Sequence, residues 1–157
     1  MRIIFNLFVI IIVALWMVGC SSLTLRPADF SWPVEVVAKP DSKGMVQEAR
    51  YQVAFNVKAL LFDEFQDSVN VTKHTLRMIR DHSGFYFITG KAFKNVYVFG
   101  TGDGALKLEK KFPVSEKGLE APAFNQKKPF IQLINEEKDN EAPVSLSKDG
   151  VQEGGKK

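Results

Sequence analysis

The clearest pattern in the chain is an alternation. Tyr51, Val53, Phe55 and Val57 take turns with Gln52, Ala54, Asn56 and Lys58. A period of two puts the first set on one face of an extended chain, which predicts a half-buried strand starting as early as Val46. The same pattern recurs downstream. Leu76 and Met78 face one way within a strand over His74 to Arg80. Leu106, Leu108, Phe112 and Val114 alternate with charged residues, which predicts another half-buried strand. Phe85 to Thr89 is apolar on both faces, as a central strand requires. Asn95 to Phe99 is rich in β-branched and aromatic residues, which suit a strand. Trp32 to Lys39 reads as a first strand and Phe130 to Ile134 as a last short one.

Turn chemistry separates these runs. Pro40-Asp41-Ser42-Lys43-Gly44, Asp81-His82-Ser83-Gly84 and Gly100-Thr101-Gly102-Asp103-Gly104 all combine residues that preset or relax φ. Asp67 to Asn70 and Ser115 to Pro129 read as loops. Ala59 to Phe65 fits two readings, a short helix with Leu60, Leu61, Phe62 and Phe65 at helical spacing or a bulged crossover. Several short strands at this spacing predict an all-β fold, a small antiparallel β-sandwich or partly open barrel. The alternative is α+β with one short helix near 59–66. The β domain is placed at 31–135. Residues 136–157 are polar, with few large apolar side chains, and are expected to form a disordered tail.

A different pattern occupies the start of the chain. Ile3 to Val18 is a run of 16 residues interrupted only by polar Asn6, behind Met1 and Arg2. It is shorter than the roughly 20 residues of a spanning helix and fits a secretory signal. The chain's single cysteine, Cys20, follows it directly after Gly19. Met17-Val18-Gly19-Cys20 resembles the lipobox of bacterial lipoproteins, with Met17 where Leu is usual. That resemblance implies cleavage between Gly19 and Cys20, with Cys20 lipidated as the first mature residue. Residues 1–19 are then the signal peptide and 20–30 a tether. More than one acyl chain gives stable anchoring, where a single chain is marginal. Ser21 after the cysteine resembles the pattern sorted to the outer membrane, with the domain facing the periplasm.

Composition narrows the function further. The 21 Lys and Arg against 18 Asp and Glu give a net charge of +3 without a basic block, which argues against nucleic acid. With Cys20 acylated, no intramolecular disulfide can form. Stability falls to an apolar core supplied by the 11 phenylalanines from Phe30 to Phe130 and the valine-rich strands.

Candidate chemistry is sparse. Gly100-Thr101-Gly102-Asp103-Gly104-Ala105 resembles a dinucleotide fingerprint, but Ala105 to Lys111 alternates like a strand where a helix is required. Asp81-His82-Ser83 holds the residue types of a hydrolase triad, yet neighbours in sequence cannot adopt its geometry. His74 and His82 lack partners at metal-ligand spacing. No catalytic, cofactor-binding or metal-binding residue is therefore assigned. Tyr86 and Tyr97 are the candidates for an aromatic binding face, although core packing suits the stretch better. The expected function is a non-enzymatic, lipid-anchored envelope protein whose β domain binds a protein, glycan or lipid partner or serves structurally. The alternative is a tethered hydrolase of envelope polymers using Asp63, Glu64, Asp67 or Asp103.

Overall fold

The computed structural model describes residues 34–135 and 142–152. The signal, the lipobox with Cys20 and the tether all lie outside the described residues. The chain divides after Phe30, and the unit Ser31–Lys157 contains both hydrophobic cores in full. A unit with its own complete cores is one that can fold alone.

The order of elements is β1 (Val36–Ala38), β2 (Met45–Glu48), β3 (Val53–Asn56), α1 (Lys58–Phe65), β4 (Leu76–Arg80), β5 (Tyr86–Gly90), β6 (Asn95–Gly102), β7 (Ala105–Pro113), β8 (Pro122–Lys127), β9 (Phe130–Asn135), β10 (Val144–Ser147) and β11 (Gly150–Val151). Three antiparallel sheets result. The largest has the order β1-β4-β5-β6-β7, the second β11-β10-β9-β8, and β2 and β3 form a hairpin. The sheets do not close into a barrel. The fold is a small β-sandwich with one α-helix among the described residues.

The central sheet is covered on both faces, which explains why β5 is buried along its whole length. On one face, Ile79, Phe87, Val96, Val98 and Phe112 meet Phe124, Ile131, Leu133 and Leu146 of the second sheet. On the other, Leu76, Met78, Tyr86, Ile88 and Tyr97 meet Val46 of the β2–β3 hairpin and Leu60 and Leu61 of α1. Alternation along β4, β5 and β6 serves both layers at once.

The turns obey their sequence chemistry. Asp41 Oδ1 accepts from the N–H groups of Lys43 and Met45, both at 2.8 Å. Asp81 Oδ1 accepts from Phe85 N–H at 2.8 Å. Asp103 and Gly104 both have positive φ, 52° and 72°, as the commonest two-residue hairpin turn demands. The glycine-rich run is therefore the end of β6, Gly100–Gly102, and the two-residue β6–β7 turn at Asp103-Gly104.

Four expectations need correction, and the choice between two readings of Ala59–Phe65 is decided. The strand predicted from Val46 through Val57 is broken at Ala49–Gln52 into the β2–β3 hairpin. No glycine or proline marks that turn; Gln52 takes the left-handed conformation itself, with φ 53°. Ala59–Phe65 is helical, with Leu60 and Leu61 buried and Phe62 turned to solvent at 53 % exposure. The helix stops where Gln66 turns left-handed and donates its N–H to Phe62 O. The loop predicted over 115–129 contains β8, which pairs with β9 from Pro122–Asn135 to Lys127–Phe130. Pro122 stands at the first strand position, where a missing donor is tolerated.

The polar tail is not uniformly outside the fold. Val144–Ser147 pairs with β9 and turns back through Gly150. Leu146 is fully buried, and the segment gains ladder hydrogen bonds to β9 as well as this burial. The domain thus extends beyond 135.

The last correction concerns β7. Its register slips between Val98 and Phe99, so that Val98 pairs with Lys110 and Phe99 with Leu108, leaving Glu109 as an extra residue. Such a bulge reverses the facing of everything beyond it. Leu106 packs on the hairpin-and-helix side, while Phe112 and Val114 pack on the side of the second sheet. One continuous apolar face becomes two half-faces. The Glu109 side chain lies over Gly100, where a Cβ would be only 2.7 Å from its Oε1.

Candidate binding cleft

The bulge matters because it leaves Leu106 and Leu108 beside α1 with nothing packed fully over them. Leu108 stays 54 % exposed. Between these leucines and the helix runs a cleft of about 340 Å³. Ile88, Tyr97 and Phe99 form its floor; Phe55 and Leu60 line it from the hairpin and helix side. Ala59 and Asp63, one helical turn apart, also border it.

The polar side chains bordering this cleft are already engaged. Asn56 donates from Nδ2 to Lys43 O at 3.1 Å and accepts from Lys58 N–H on Oδ1 at 2.9 Å. The Tyr97 hydroxyl lies 2.7 Å from both Asp63 Oδ2 and Glu64 Oε2. Lys111 Nζ donates to the same Asp63 oxygen at 2.8 Å and sits 5.6 Å from the Tyr97 ring centroid. Glu64 also accepts from Lys94 N–H and from Asn95 Nδ2, so it ties α1 to the β5–β6 turn.

The electrostatics follow from these contacts. Lys111 and Tyr97 hold the Asp63 carboxyl below the ordinary carboxylate range. Burial, followed by the hydrogen bonds to Glu64 and Asp63, pushes the Tyr97 phenol far above its ordinary value. Asp63 is therefore an ionised acceptor at neutral pH and Tyr97 a neutral donor.

The sequence candidates scatter around this picture. Asp63 and Glu64 do come together, at Tyr97, as structural acceptors. Asp67 lies in a loop, where its carboxylate takes Val69 N–H at 2.7 Å and Asn70 Nδ2 at 2.8 Å. Those bonds, Asn70 first, lower its pKa as well. Asp103 sits in the β6–β7 turn and pairs with Lys107. His74 stacks on Phe65 at 4.7 Å, and His82 meets Gln126 across the fold. Among the described residues, no group of three or more His, Cys, Asp or Glu is arranged to hold a metal ion.

Tyr86 and Tyr97 do not form an open aromatic face. Each is only 2 % exposed. Tyr86 is packed edge-on against Tyr51 at 5.7 Å, under the Arg80 guanidinium. Tyr97 borders the cleft from within the core. Sequence reasoning misses Ala59, Leu106 and Leu108 in the cleft and Lys111 beside it, because their grouping depends on the bulge and on helix placement.

These features define a small antiparallel β-sandwich with an apolar side cleft. No protein-family model, no curated protein and no solved structure matches this chain. Among the described residues, no helix is long and apolar enough to cross a membrane.

Proposed function

We propose that this protein is a membrane-tethered, non-enzymatic binding module of the bacterial cell envelope. Its anchor is an acylated Cys20, and its β domain takes an envelope component as ligand or partner. The observation that carries the binding half is the cleft between α1 and β7, apolar in its walls and with its polar side chains occupied by one another. Ligand sites have this character, about 300–1,000 Å³ with mostly apolar walls and few polar groups. A catalytic site needs a group free to move a proton or attack. The hydrolase alternative is disfavoured on the same ground. Asp63 is held ionised by Lys111, and Asp67 and Asp103 serve their own turns.

The anchoring half rests on the run from Met17 to Cys20 and is tested in cells. Metabolic labelling with an alkynyl fatty acid should tag the wild-type protein and leave Cys20→Ser untagged. The tagged protein should sediment with membranes, in the outer-membrane fraction if the host has one. A tag that persists in Cys20→Ser, or an untagged wild type in the soluble fraction, contradicts the anchor.

A further inference from the structure

We infer that the cleft between α1 and β7 binds a single unbranched hydrocarbon chain, that of a fatty acid, with its carboxylate at Lys111. This deepens the binding reading above and does not depend on the Cys20 anchor.

Apart from the half-exposed Asp63 carboxylate, the cleft offers a ligand no polar side chain that lacks partners. Asn56, Asp63 and Tyr97 are its polar side chains, and each has its hydrogen-bonding partners within the protein. A ligand that buried a hydroxyl or an amide beside them would lose water without replacement, which is costly. The buried part of the ligand is therefore hydrocarbon.

Shape selects a chain. A second hollow of about 230 Å³ adjoins the first at Leu106 and continues between Gln52–Ala54 of the hairpin and Thr101–Ala105 of the β6–β7 turn. The two together run along β6 from Tyr97 to Thr101 and along β7 from Leu108 to Ala105, about 13 Å at ~3.3 Å per strand residue. A narrow trough of that length suits an extended chain better than a compact ring system.

Charge selects the head. Lys111 and Asp63 stand at one end, with the Lys111 side chain 38 % exposed beside the cleft mouth. A carboxylate there can share the Lys111 ammonium without displacing Asp63, because the two remaining N–H donors are available. A peptide strand is the competing occupant, since among the described residues β7 pairs with β6 alone. Lys107, Lys110 and Lys111 along that edge, together with the Glu109 bulge, are the features by which edge strands resist strand addition.

The test uses the Ser31–Lys157 unit and the fluorescent fatty acid parinaric acid. Saturable binding is expected, with displacement by decanoate. In the series from hexanoate to decanoate, affinity should rise about fourfold per added methylene, the value for burying a CH₂. Decanedioate, charged at both ends, should displace poorly. Ala59→Trp places a large side chain in the trough from an exposed helix position. It should abolish binding while leaving the thermal midpoint nearly unchanged. Lys111→Gln should weaken decanoate but not decanol.

Three results overturn the inference: no saturable binding to folded protein, binding indifferent to Ala59→Trp, or displacement by an extended apolar peptide but not by decanoate. If any of these occurs while Cys20 carries its acyl label, the ligand is wrong and the anchor stands. Chain binding with an unlabelled Cys20 means the opposite, a correct ligand and a wrong anchor.

Discussion

The Tyr97 hydroxyl lies 2.7 Å from Glu64 Oε2, across 33 residues of chain. Through this contact the middle of the central sheet holds the only α-helix among the described residues. The same hydroxyl reaches Asp63 Oδ2, the cleft-bordering carboxylate, at the same distance. One phenol thus fixes the helix that forms one side of the cleft.

Removing that phenol tests the latch. Tyr97→Phe keeps the ring in the core and removes the one O–H that Asp63 and Glu64 share. Hydrogen bonds to charged groups contribute about 1.5–3 kcal/mol, and a loss in this range is expected from denaturant midpoints at constant slope. A Tyr97→Phe protein as stable as wild type would mean that packing alone positions α1.

Acid should loosen the same contact from the other side. The Asp63 carboxyl is depressed in the folded state, so its contribution is present above the ordinary value of 3.8 and is lost as pH falls through the lower folded value. Its carboxyl resonance should titrate below 3.8 in the folded protein. In Lys111→Met that midpoint should move up, because the largest cause of the depression is gone. An unmoved midpoint contradicts the assignment.

Alkali works in the opposite sense. Tyr97 and Tyr51 both have raised phenol pKa values, chiefly from burial. Their contribution is intact below the ordinary value of 10.0 and declines as pH rises above it, because the unfolded chain ionises first. Absorbance at the phenolate band should show these two tyrosines ionising late, together with loss of the near-ultraviolet circular dichroism. Titration of Tyr51 and Tyr97 near pH 10.0 with the fold intact is the contrary result.

Two glycines separate backbone crowding from side-chain crowding. A Cβ at Gly90 would meet the Thr75 carbonyl oxygen at 2.7 Å, and a Cβ at Gly100 would meet Glu109 Oε1 at the same distance. The carbonyl belongs to the backbone and cannot step aside, whereas the glutamate is a flexible exposed end. Gly90→Ala should cost about 1–3 kcal/mol, the usual penalty of overpacking. Gly100→Ala should cost much less, and equal losses would contradict the Glu109 placement.

The C-terminal hairpin gives a separate test. Leu146 is fully buried against Ile131 and Leu133 in the core under the second sheet. Leu146→Ala should cost about 2–5 kcal/mol, as for other buried leucines. A negligible loss would return this segment to the status of a tail.

Much of the sandwich is legible in the sequence. The two-residue period marks β3 and β4, the doubly apolar run marks β5 as central, and Asp, Ser and Gly chemistry marks the turns at Asp41–Gly44, Asp81–Gly84 and Asp103–Gly104. The remaining elements carry weak local signals. Gln52 makes its turn without help from glycine or proline, and Leu146 stands almost alone among polar neighbours. The Glu109 bulge leaves one trace, Lys110, which interrupts the phase shared by Leu106, Leu108 and Phe112. The cleft is least legible of all. Lys111 and Asp63 are 48 residues apart and meet only because a slipped register turns Lys111 toward Tyr97. The hydrophobic pattern identifies Tyr97 as core, yet nothing local to it names its acidic partners.

The binding of an apolar chain in the trough beside α1 is tested most directly by intermolecular nuclear Overhauser effects between decanoate and the Ser31–Lys157 unit. Contacts are predicted from the methylene chain to the methyl groups of Leu60, Ile88, Leu106 and Leu108, with the carboxylate end near Lys111. Contacts confined to other surfaces, such as exposed Val37 on β1, or no contacts at saturating decanoate, would contradict it.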